Sequence, residues 1–257
     1  MINTSFTYDG ISSDEMGVSL IRLNSGMIDK TYVSRKEILE QFPNNSLYPN
    51  FFGIKYQPLT FSLVFTCEND LMDSDKMYKI ANWLCQNEYK PFISADNPSI
   101  QYYCMAINQA SFMTNGLNQG YFELEFRCRD GFGWTVPTVD EYDFTGISST
   151  PTIQLTNYSN VLDYVYPELE FELTGSNTGL SLINVNDAGR EFKFTGLDVG
   201  DEVYIDNQKR IILSTLTDNV FSKFNKKFFR LKKGVNNIQL SGECILRIRK
   251  QFPVFMT

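Results

Sequence analysis

Two glutamates lie two positions apart in residues 120–135, and a pair of carboxylates is a common catalytic device. This stretch reads GYFELEFRCRDGFGWT, and its alternation of apolar and polar residues predicts a β-strand with one buried face. Glu123 and Glu125 then share the other face, with backbones roughly 6.6 to 6.8 Å apart. An inverting glycosidase needs its two carboxyl groups about 6.5–9.5 Å apart. The spacing therefore permits carboxylate chemistry.

Two arginines follow the glutamates on the same predicted face and favour a different interpretation. Arg127 and Arg129 continue the alternation. Guanidinium groups nearby stabilise the ionised form of a carboxylate, whereas general-acid catalysis requires one carboxyl group with a raised pKa. We therefore interpret Glu123, Glu125, Arg127 and Arg129 as a face for another protein, and a carboxylate-based glycosidase is an alternative. An exposed strand with weak local Glu–Arg pairs is the third interpretation.

The chain of 257 residues contains no histidine, which removes most hydrolase mechanisms. Ser-His-Asp and Cys-His activation and the H-E-x-x-H zinc site all depend on imidazole. The G-x-S-x-G, G-x-x-x-x-G-K-S/T and G-x-G-x-x-G motifs are also absent. Asp198, Asp201, Glu202 and Asp206 do not have the spacing of a calcium-binding loop. We expect no catalytic, cofactor-binding or metal-binding residues, and hence no enzyme.

Cysteine usage and the first residues bear on the compartment. The five cysteines are odd in number, form no C-x-x-C pair and lie in apolar surroundings, so we expect all of them to be reduced and buried. They are Cys67, Cys85, Cys104, Cys128 and Cys244. The opening MINTSFTYDG lacks the basic start and apolar run of a secretory signal, and no segment approaches the ~20 apolar residues that span a bilayer. We expect a cytosolic protein without a membrane partner.

Strand and turn patterns dominate the first half of the chain. Asp9-Gly10 between two apolar runs predicts an opening hairpin, and residues 59–67 alternate as a strand. Residues 35–58 contain three prolines and no sustained period, which indicates a long loop or arm that contacts a partner. One helix is predicted over about 74–88, because Met77, Ile80, Ala81 and Leu84 fall at i, i+3, i+4 and i+7.

A change of composition separates the two halves. Residues 131–151 mix Gly, Pro, Ser and Thr, which places a domain boundary near Pro137. Short strands then recur at even spacing with turns between them, which is typical of a β-sandwich. The predicted fold class is therefore mainly β. Residues 1–137 form a sandwich-like or split-barrel-like β domain with one packed α-helix, and residues 138–257 form a β-sandwich.

Charge is distributed unevenly within the second half. Residues 139–206 hold thirteen acids and two bases, a net charge of −11, whereas residues 207–257 hold two acids and eleven bases, a net charge of +9. We expect strands of the two segments to pair, so that the charges screen each other. The alternative is a basic surface for a polyanion, because residues 223–233 (KFNKKFFRLKK) interleave aromatics and bases.

A sugar-binding sandwich is a further alternative. Such sites place an aromatic ring against the sugar ring, but both tryptophans precede the predicted boundary. Tyrosines such as Tyr158, Tyr164, Tyr166 and Tyr204 remain available in the second half. A carbohydrate-binding module or adhesin domain that recognises host cell-wall glycan therefore stays the second functional hypothesis.

The order of segments resembles the distal tail (Dit) protein family of long-tailed bacteriophages, the siphoviruses, of Gram-positive bacteria. The resemblance covers nearly the whole chain. It is carried in the first half by FTYDGISSDEMGV, PLTFSLVF, IANWLCQNEYKPFISADNPSIQYYCMA and GYFELEFRCRDGFGW, and in the second by GDEVYIDNQKRII and LKKGVNNIQLSGECILRIRK. Residues 41–58 depart from the pattern and leave the partner of that segment open.

The resemblance implies a structural adaptor without cofactors. Its N-terminal domain forms a homo-hexameric ring, and its C-terminal domain is a galectin-like β-sandwich. The ring joins the tail tube protein to the tail-associated (Tal) hub protein and docks the receptor-binding protein in many phages. The implied location is the virion tail tip or baseplate, after assembly in the host cytoplasm, with DNA only as cargo through a central channel.

A ring also gives the E-x-E-x-R-x-R pattern a role. Each subunit of a cyclic ring offers two different surfaces, so acids of one copy can face bases of the next. The net charge of −7 suits a channel that DNA crosses without sticking.

Overall fold

The computed structural model describes residues 3–21, 35–40, 49–67, 74–107, 111–114, 120–147 and 149–255. The chain divides into two compact units. Unit 1 comprises Met1–Thr135 together with Phe255–Thr257, and unit 2 comprises Val136–Val254. Among the described residues, the helix that is present falls short of the length and apolarity needed to cross a membrane.

Unit 1 is built on one antiparallel sheet and a separate two-stranded ribbon. Its strands are β1 (Asn3–Thr4), β2 (Phe6–Tyr8), β3 (Ile11–Ser12), β4 (Val18–Ile21), β5 (Arg35–Glu40), β6 (Asn50–Tyr56), β7 (Thr60–Cys67), β8 (Lys90–Ser94), β9 (Ile100–Ala106), β10 (Ser111–Thr114), β11 (Gly120–Cys128) and β12 (Gly133–Thr135). The main sheet has the order β1-β4-β7-β11-β9-β8-β2-β3, with β10 beside β11 and β12 beside β9. The ribbon consists of β5 and β6.

Strand β11 shows why this sheet forms. Phe122, Leu124 and Phe126 are buried, whereas the residues between them are exposed or half-buried. The antiparallel register places these three side chains opposite Phe65, Leu63 and Phe61 of β7. Because alternate residues of paired strands project from the same face, both strands contribute one continuous apolar face to the core of unit 1. The predicted strand with one buried face is confirmed.

Helix α1 (Ser74–Leu84) packs on that apolar face. Ile80, Trp83 and Leu84 are its buried residues. The indole N–H of Trp83 donates a hydrogen bond to the backbone carbonyl of Tyr8 at 2.8 Å, and its ring stacks on Phe6 with centroids 5.4 Å apart. Burial of one side of a short helix supplies stability that its intrinsic propensity alone lacks.

The helix differs from its prediction in length and orientation. It ends at Leu84 rather than near 88. The side-chain amide of Gln86 donates hydrogen bonds to the backbone carbonyls of Asn82 and Trp83, at 2.7 and 3.1 Å, in place of further backbone amides. Of the predicted apolar stripe, Ile80 and Leu84 are buried, whereas Met77 is half-buried and Ala81 is exposed. One apolar side of the helix therefore stays open.

The opening hairpin is present but shorter than predicted. Tyr8 pairs with Ile11, and Asp9 and Gly10 both have left-handed backbone angles, with φ of 51° and 78°. Such a pair is the two-residue turn that matches the twist of a hairpin. The second segment does not continue as one strand, because the residues after Ser12 turn and re-enter the sheet as β4, beside β1 and β7.

Unit 2 consists of two antiparallel sheets and short connecting elements. Its strands are β13 (Thr138–Asp143), β14 (Thr152–Asn157), β15 (Tyr164–Val165), β16 (Glu168–Leu173), β17 (Gly179–Asn184), β18 (Arg190–Thr195), β19 (Glu202–Asp206), β20 (Ile211–Ser214), β21 (Leu231–Lys232), β22 (Gly234–Ser241), β23 (Cys244–Lys250) and β24 (Pro253–Val254). A 3₁₀-helix covers Val220–Lys223. The sheets have the orders β13-β23-β16-β19-β20 and β14-β22-β17-β18.

The core of unit 2 lies between these sheets. Leu169 and Phe171 of β16 belong to the same buried apolar cluster as Ile238 and Leu240 of β22. Each strand contributes alternate residues, because the opposite face of each sheet meets solvent. The arrangement is a β-sandwich. The predicted fold class, mainly β with one helix in the described part of unit 1 and a sandwich in the second half, is confirmed.

Candidate assembly surfaces

The outward face of β11 carries the predicted interface residues. Glu123 and Arg127 are exposed, and Glu125 between them is half-buried. The strand is paired on both sides, with β7 along Tyr121–Arg127 and with β10 and β9 on the other side. Another chain can therefore reach these side chains only through the face of the sheet and not through a free strand edge. Their role as a subunit interface stays a prediction.

Arg129 differs from the other three residues because it is engaged within its own unit. Its Nε and Nη2 atoms each lie 2.9 Å from Oδ2 of Asp130. Its guanidinium carbon lies 4.5 Å from the ring centre of Tyr103 and 5.4 Å from that of Trp134. The Trp134 indole N–H also donates to Asp130 at 2.8 Å. Arg129 thus fixes the end of β11 while keeping part of its side chain exposed.

The glutamate pair lies on an open face. Glu123 is opposite Val64 of β7, and Glu125 is opposite Ser62, so both carboxylates project from the outer side of the sheet. A glycosidase instead places its two carboxyl groups on either side of the bond that it cleaves.

Strands β5 and β6 form an arm that stands apart from the main sheet. We call residues 35–40 and 49–56 the arm. The strands pair antiparallel with each other from Arg35–Tyr56 to Glu40–Asn50, with a bulge between Ile38 and Leu39. Residues 41–48 lie outside the described part of the chain. The predicted alternative of a loop without regular structure is therefore wrong over residues 35–40 and 50–56, which form a β-ribbon, and the alternative of an arm agrees with the structure.

The arm exposes a concentration of apolar side chains. Ile38, Leu39, Phe51, Phe52 and Ile54 are each between 41 and 61 % exposed. A two-stranded hairpin alone is marginally stable in water. Exposed apolar patches on a folded protein mark surfaces that other molecules cover. The arm is therefore the strongest candidate for an assembly surface in the described residues.

The base of the arm is anchored by aromatic contacts. The ring of Tyr56 lies 5.8 Å from the ring of Phe132 and 5.8 Å from that of Phe255. Phe132 in turn lies 5.5 Å from Trp134. Aromatic pairs at these distances are favourable beyond their buried area. The anchor fixes one end of the ribbon and leaves the apolar residues beyond it exposed.

The basic segment of unit 2 does not have the character of a nucleic-acid site. Its aromatic residues Phe224, Phe228 and Phe229 are buried in the sandwich core and cannot stack on bases. Arg230 forms a two-point ion pair with Asp187, at 2.7 and 3.1 Å, and lies 3.9 Å over the ring of Tyr164. These contacts hold the segment on its own unit.

The opposite charges of unit 2 are paired across the five-stranded sheet, as expected. Strand β23 carries the bases and lies between β13 and β16, which carry acids. Arg247 donates hydrogen bonds to Glu141 at 2.6 Å and to Glu170 at 2.8 Å. Lys250 pairs with Asp140, also on β13. The bases of β23 thus offset part of the negative charge of residues 139–206 through ion pairs.

Of the tyrosines considered for sugar binding, Tyr164 and Tyr166 both contact Arg230. Tyr164 is covered by Arg230, and Tyr158 is exposed with an edge contact to Phe252. Tyr204 lies on β19 opposite Glu170 in the outer face of the five-stranded sheet. The arginine between Tyr164 and Tyr166 is bound to Asp187, and sugar binding at these tyrosines stays an alternative.

The acidic turn of unit 2 has an internal explanation. Asp201 is fully buried, and its oxygens accept hydrogen bonds from Ser214, Thr215, Leu216 and Thr217. Asp206 is paired with Lys209 at 3.1 Å. Within the described ranges, no cluster of three or more histidine, cysteine or acidic residues could hold a metal ion.

Four of the five cysteines are buried, and Cys85 is exposed. The prediction was therefore wrong for Cys85, which directly follows the last residue of α1. Burial raises the pKa of Cys67, Cys104 and Cys244, and the pKa of Cys244 reaches about 12. Thiols of this kind are poor nucleophiles, which fits a role in packing.

The fold defines a mainly-β protein with one apolar arm exposed among the described residues. The chain belongs to a phage tail protein family. Residues 1–130 match the family described as Phage tail protein N-terminal domain, and residues 132–249 match the family described as Phage tail C-terminal domain. A curated relative, the SPbeta prophage-derived protein YomH of Bacillus subtilis (strain 168), is 25 % identical over 248 residues, which is 96 % of each chain.

Solved structures with the same fold come from phage tails. The Dit protein of phage SPP1, described as a paradigm of the hub adsorption apparatus in phages that infect Gram-positive bacteria, has a TM-score of 0.68 at 10 % identity, covering 97 % of this chain and 99 % of that one. Chains of the phage P2 baseplate in its activated conformation have TM-scores of 0.55 at 9 and 8 % identity, covering 97 and 98 % of the two chains. The chain is a phage tail protein with the Dit fold, which confirms the resemblance.

Proposed function

We propose that this chain is a distal tail protein that assembles into a homo-hexameric ring at the end of a siphovirus tail tube. The ring joins the tail tube protein to the tail-associated hub protein and to the receptor-binding apparatus. It is a structural component of the virion tail tip or baseplate, is assembled in the host cytoplasm, and catalyses no reaction. The observation that carries this proposal is a Dit fold that bears an apolar arm uncovered in the single chain.

The arm supports a ring because its apolar side chains stay exposed among the residues that the structure describes. A closed ring is built from heterologous contacts, in which one surface of each copy meets a different surface of the next. An arm that projects apolar residues is one such surface. The outward face of β11, with Glu123, Glu125 and Arg127, is a second surface on the same unit.

The two halves of the chain have different roles in this proposal. Residues 1–137 form the ring, and residues 138–257 form a galectin-like sandwich at its periphery. The ion pairs on the five-stranded sheet of unit 2 leave few unpaired bases there, and the whole chain carries a net charge of −7. A negative protein surface repels phosphate, so a channel through the ring lets DNA pass without binding it.

The test is the molar mass and shape of the purified protein. We expect light scattering to give six copies per particle and negative-stain images to show rings with a central opening. Immunoblotting of purified virions should detect the chain at the tail tip. A protein that stays monomeric at high concentration and is absent from mature virions contradicts the proposal.

A further inference from the structure

Helix α1 and strand β11 border an apolar groove. Met77, Tyr78, Ala81 and Cys85 line it from the helix side, and Phe122 and Leu124 of β11 line it from the sheet. Its volume is about 380 Å³. Ile80 and Leu84, which α1 buries against the core, also line the groove, so the groove lies where the helix meets the sheet. Tyr78 on the helix side of the groove is 69 % exposed.

The groove and the arm are both apolar, and neither covers the other within one chain. The lining of the groove includes no residue of the arm. The apolar side chains of the arm keep their exposure in the folded single chain. Both apolar surfaces are open to water. If one copy supplies the arm and another supplies the groove, each surface buries the other, and this burial stabilises the pair of copies.

The dimensions of the arm suit such an exchange. Strand β6 has seven residues. At about 3.4 Å per residue it extends roughly 24 Å along the ribbon from its aromatic anchor at Tyr56. Leu39 and Phe51 lie directly opposite each other on the ribbon, so they present one joined apolar surface.

We infer that the arm of one copy docks into the groove of the next copy, with Phe51, Phe52 and Leu39 against Met77, Ala81 and Cys85. This inference rests on the proposed ring and names the contact that closes it. The contact is directional, since the arm and the groove are different surfaces. Repetition of one directional contact generates a ring when the rotation closes.

A mixing experiment tests the direction of the contact. Phe52→Asp damages the arm and leaves the groove intact, whereas Ala81→Glu damages the groove and leaves the arm intact. We expect each variant alone to lose the hexamer, a drop of about six-fold in molar mass. An equal mixture should form particles of two copies, because one arm and one groove remain usable in each pair. Asn50→Asp and Asn82→Glu place the same charges beside these sites and should leave the hexamer intact.

Chemical cross-linking gives a second readout in an otherwise native ring. Cys85 is exposed at the groove, whereas the other four cysteines are buried. We expect Phe51→Cys, treated with a short bis-maleimide, to give a ladder of covalent multimers. The ladder should vanish when Cys85→Ser is added. Val235→Cys, which places an exposed thiol in unit 2, should give no ladder.

The outcomes separate the docking contact from the ring itself. The docking is overturned if Ala81→Glu still forms a hexamer and if Phe51→Cys, in a hexamer, gives no cross-link to Cys85. These results would leave the proposed function in place. A wild-type protein that never forms a ring overturns the proposed function. If Ala81→Glu does not fold by circular dichroism, Tyr78→Asp, at an exposed position on the same side of α1, replaces it in the mixture.

Discussion

At the scale of single residues, Asp201 shows how an acidic turn serves stability. Its buried carboxylate accepts hydrogen bonds from the hydroxyls of Ser214 and Thr215 and from the backbone amides of residues 215–217. Burial alone would raise the pKa of Asp201, but these hydrogen bonds outweigh it and hold the pKa below its ordinary value. The carboxylate therefore ties the turn before β19 to the turn after β20.

We expect Asp201→Asn to lower the free energy of unfolding by about 2–3 kcal/mol. The amide offers one acceptor oxygen where the carboxylate offered two, and its NH₂ group faces donors. Denaturant unfolding followed by fluorescence measures the change. Asp198→Asn, at an exposed position in the same turn, is the matched control and should have little effect. Equal stability of the two variants would contradict this account.

The same carboxylate predicts a pH dependence. A carboxyl group whose folded pKa lies below its unfolded value of about 3.9 stabilises the fold above that value, and this contribution is lost as the pH falls through the folded pKa. The stability difference between wild type and Asp201→Asn should therefore be full near neutral pH and shrink below about pH 4. A difference that grows on acidification would show that the sign is wrong.

At the scale of elements, a buried asparagine fixes the turn between β21 and β22. Oδ1 of Asn236 accepts hydrogen bonds from the Lys232 amide and the Asn184 side chain, at 2.9 and 2.8 Å. Its Nδ2 donates to the carbonyls of Lys232 and Gly234, at 2.8 and 2.9 Å. The side chain thus replaces backbone partners that a tight turn cannot supply.

We expect Asn236→Ala to lower the free energy of unfolding by about 2–4 kcal/mol, because it leaves buried donors and acceptors unpaired. Amide hydrogen exchange should become faster at Lys232. Asn237→Ala changes the neighbouring residue, whose side chain lies on the other face of β22, and serves as the control. An unchanged rate of amide hydrogen exchange at Lys232 in Asn236→Ala would contradict the role of this side chain in holding the turn.

The elements differ in how far the sequence could reveal them, and burial explains the difference. Strand β11 was predictable because its buried face repeats every second residue. The two strands of the arm were not predictable, because the segments RKEILE and NFFGIKY are largely exposed and no core imposes an alternation on them. The end of α1 depended on the side chain of Gln86, which no periodicity reveals. The exposure of Cys85 followed from that ending.

At the scale of the whole molecule, the candidate interface on β11 was predictable as a polar face but not as a contact. The repeat of two glutamates and two arginines indicated one outward strip. The structure instead commits Arg129 to the adjacent Asp130, to the nearby Trp134 and to Tyr103, which β9 brings from a distant part of the sequence. Contacts of this kind depend on the tertiary fold, so a local pattern cannot assign them.

The role of the outward face of β11 can be tested by whether the hexamer forms. We expect the double variant Glu123→Lys plus Glu125→Lys to lose the hexamer, because it places like charges against Arg127 of a neighbouring copy. Light scattering at low and moderate salt measures the loss, and screening by salt should reduce it. Asp14→Lys plus Glu15→Lys, at exposed positions in the same unit, makes an equal change in net charge and is the control. An unchanged hexamer refutes the role of this face.

The uncovered arm also sets conditions on how such a protein is produced. A newly synthesised chain exposes the apolar arm until it contacts other subunits. Unassembled chains therefore aggregate unless they assemble quickly with other copies. Rapid assembly, favoured when many copies are translated in one place, buries the apolar β-ribbon before the chains aggregate. Expression of this chain at a low level, or out of proportion to the other tail proteins, would therefore give insoluble protein in place of assembled tails.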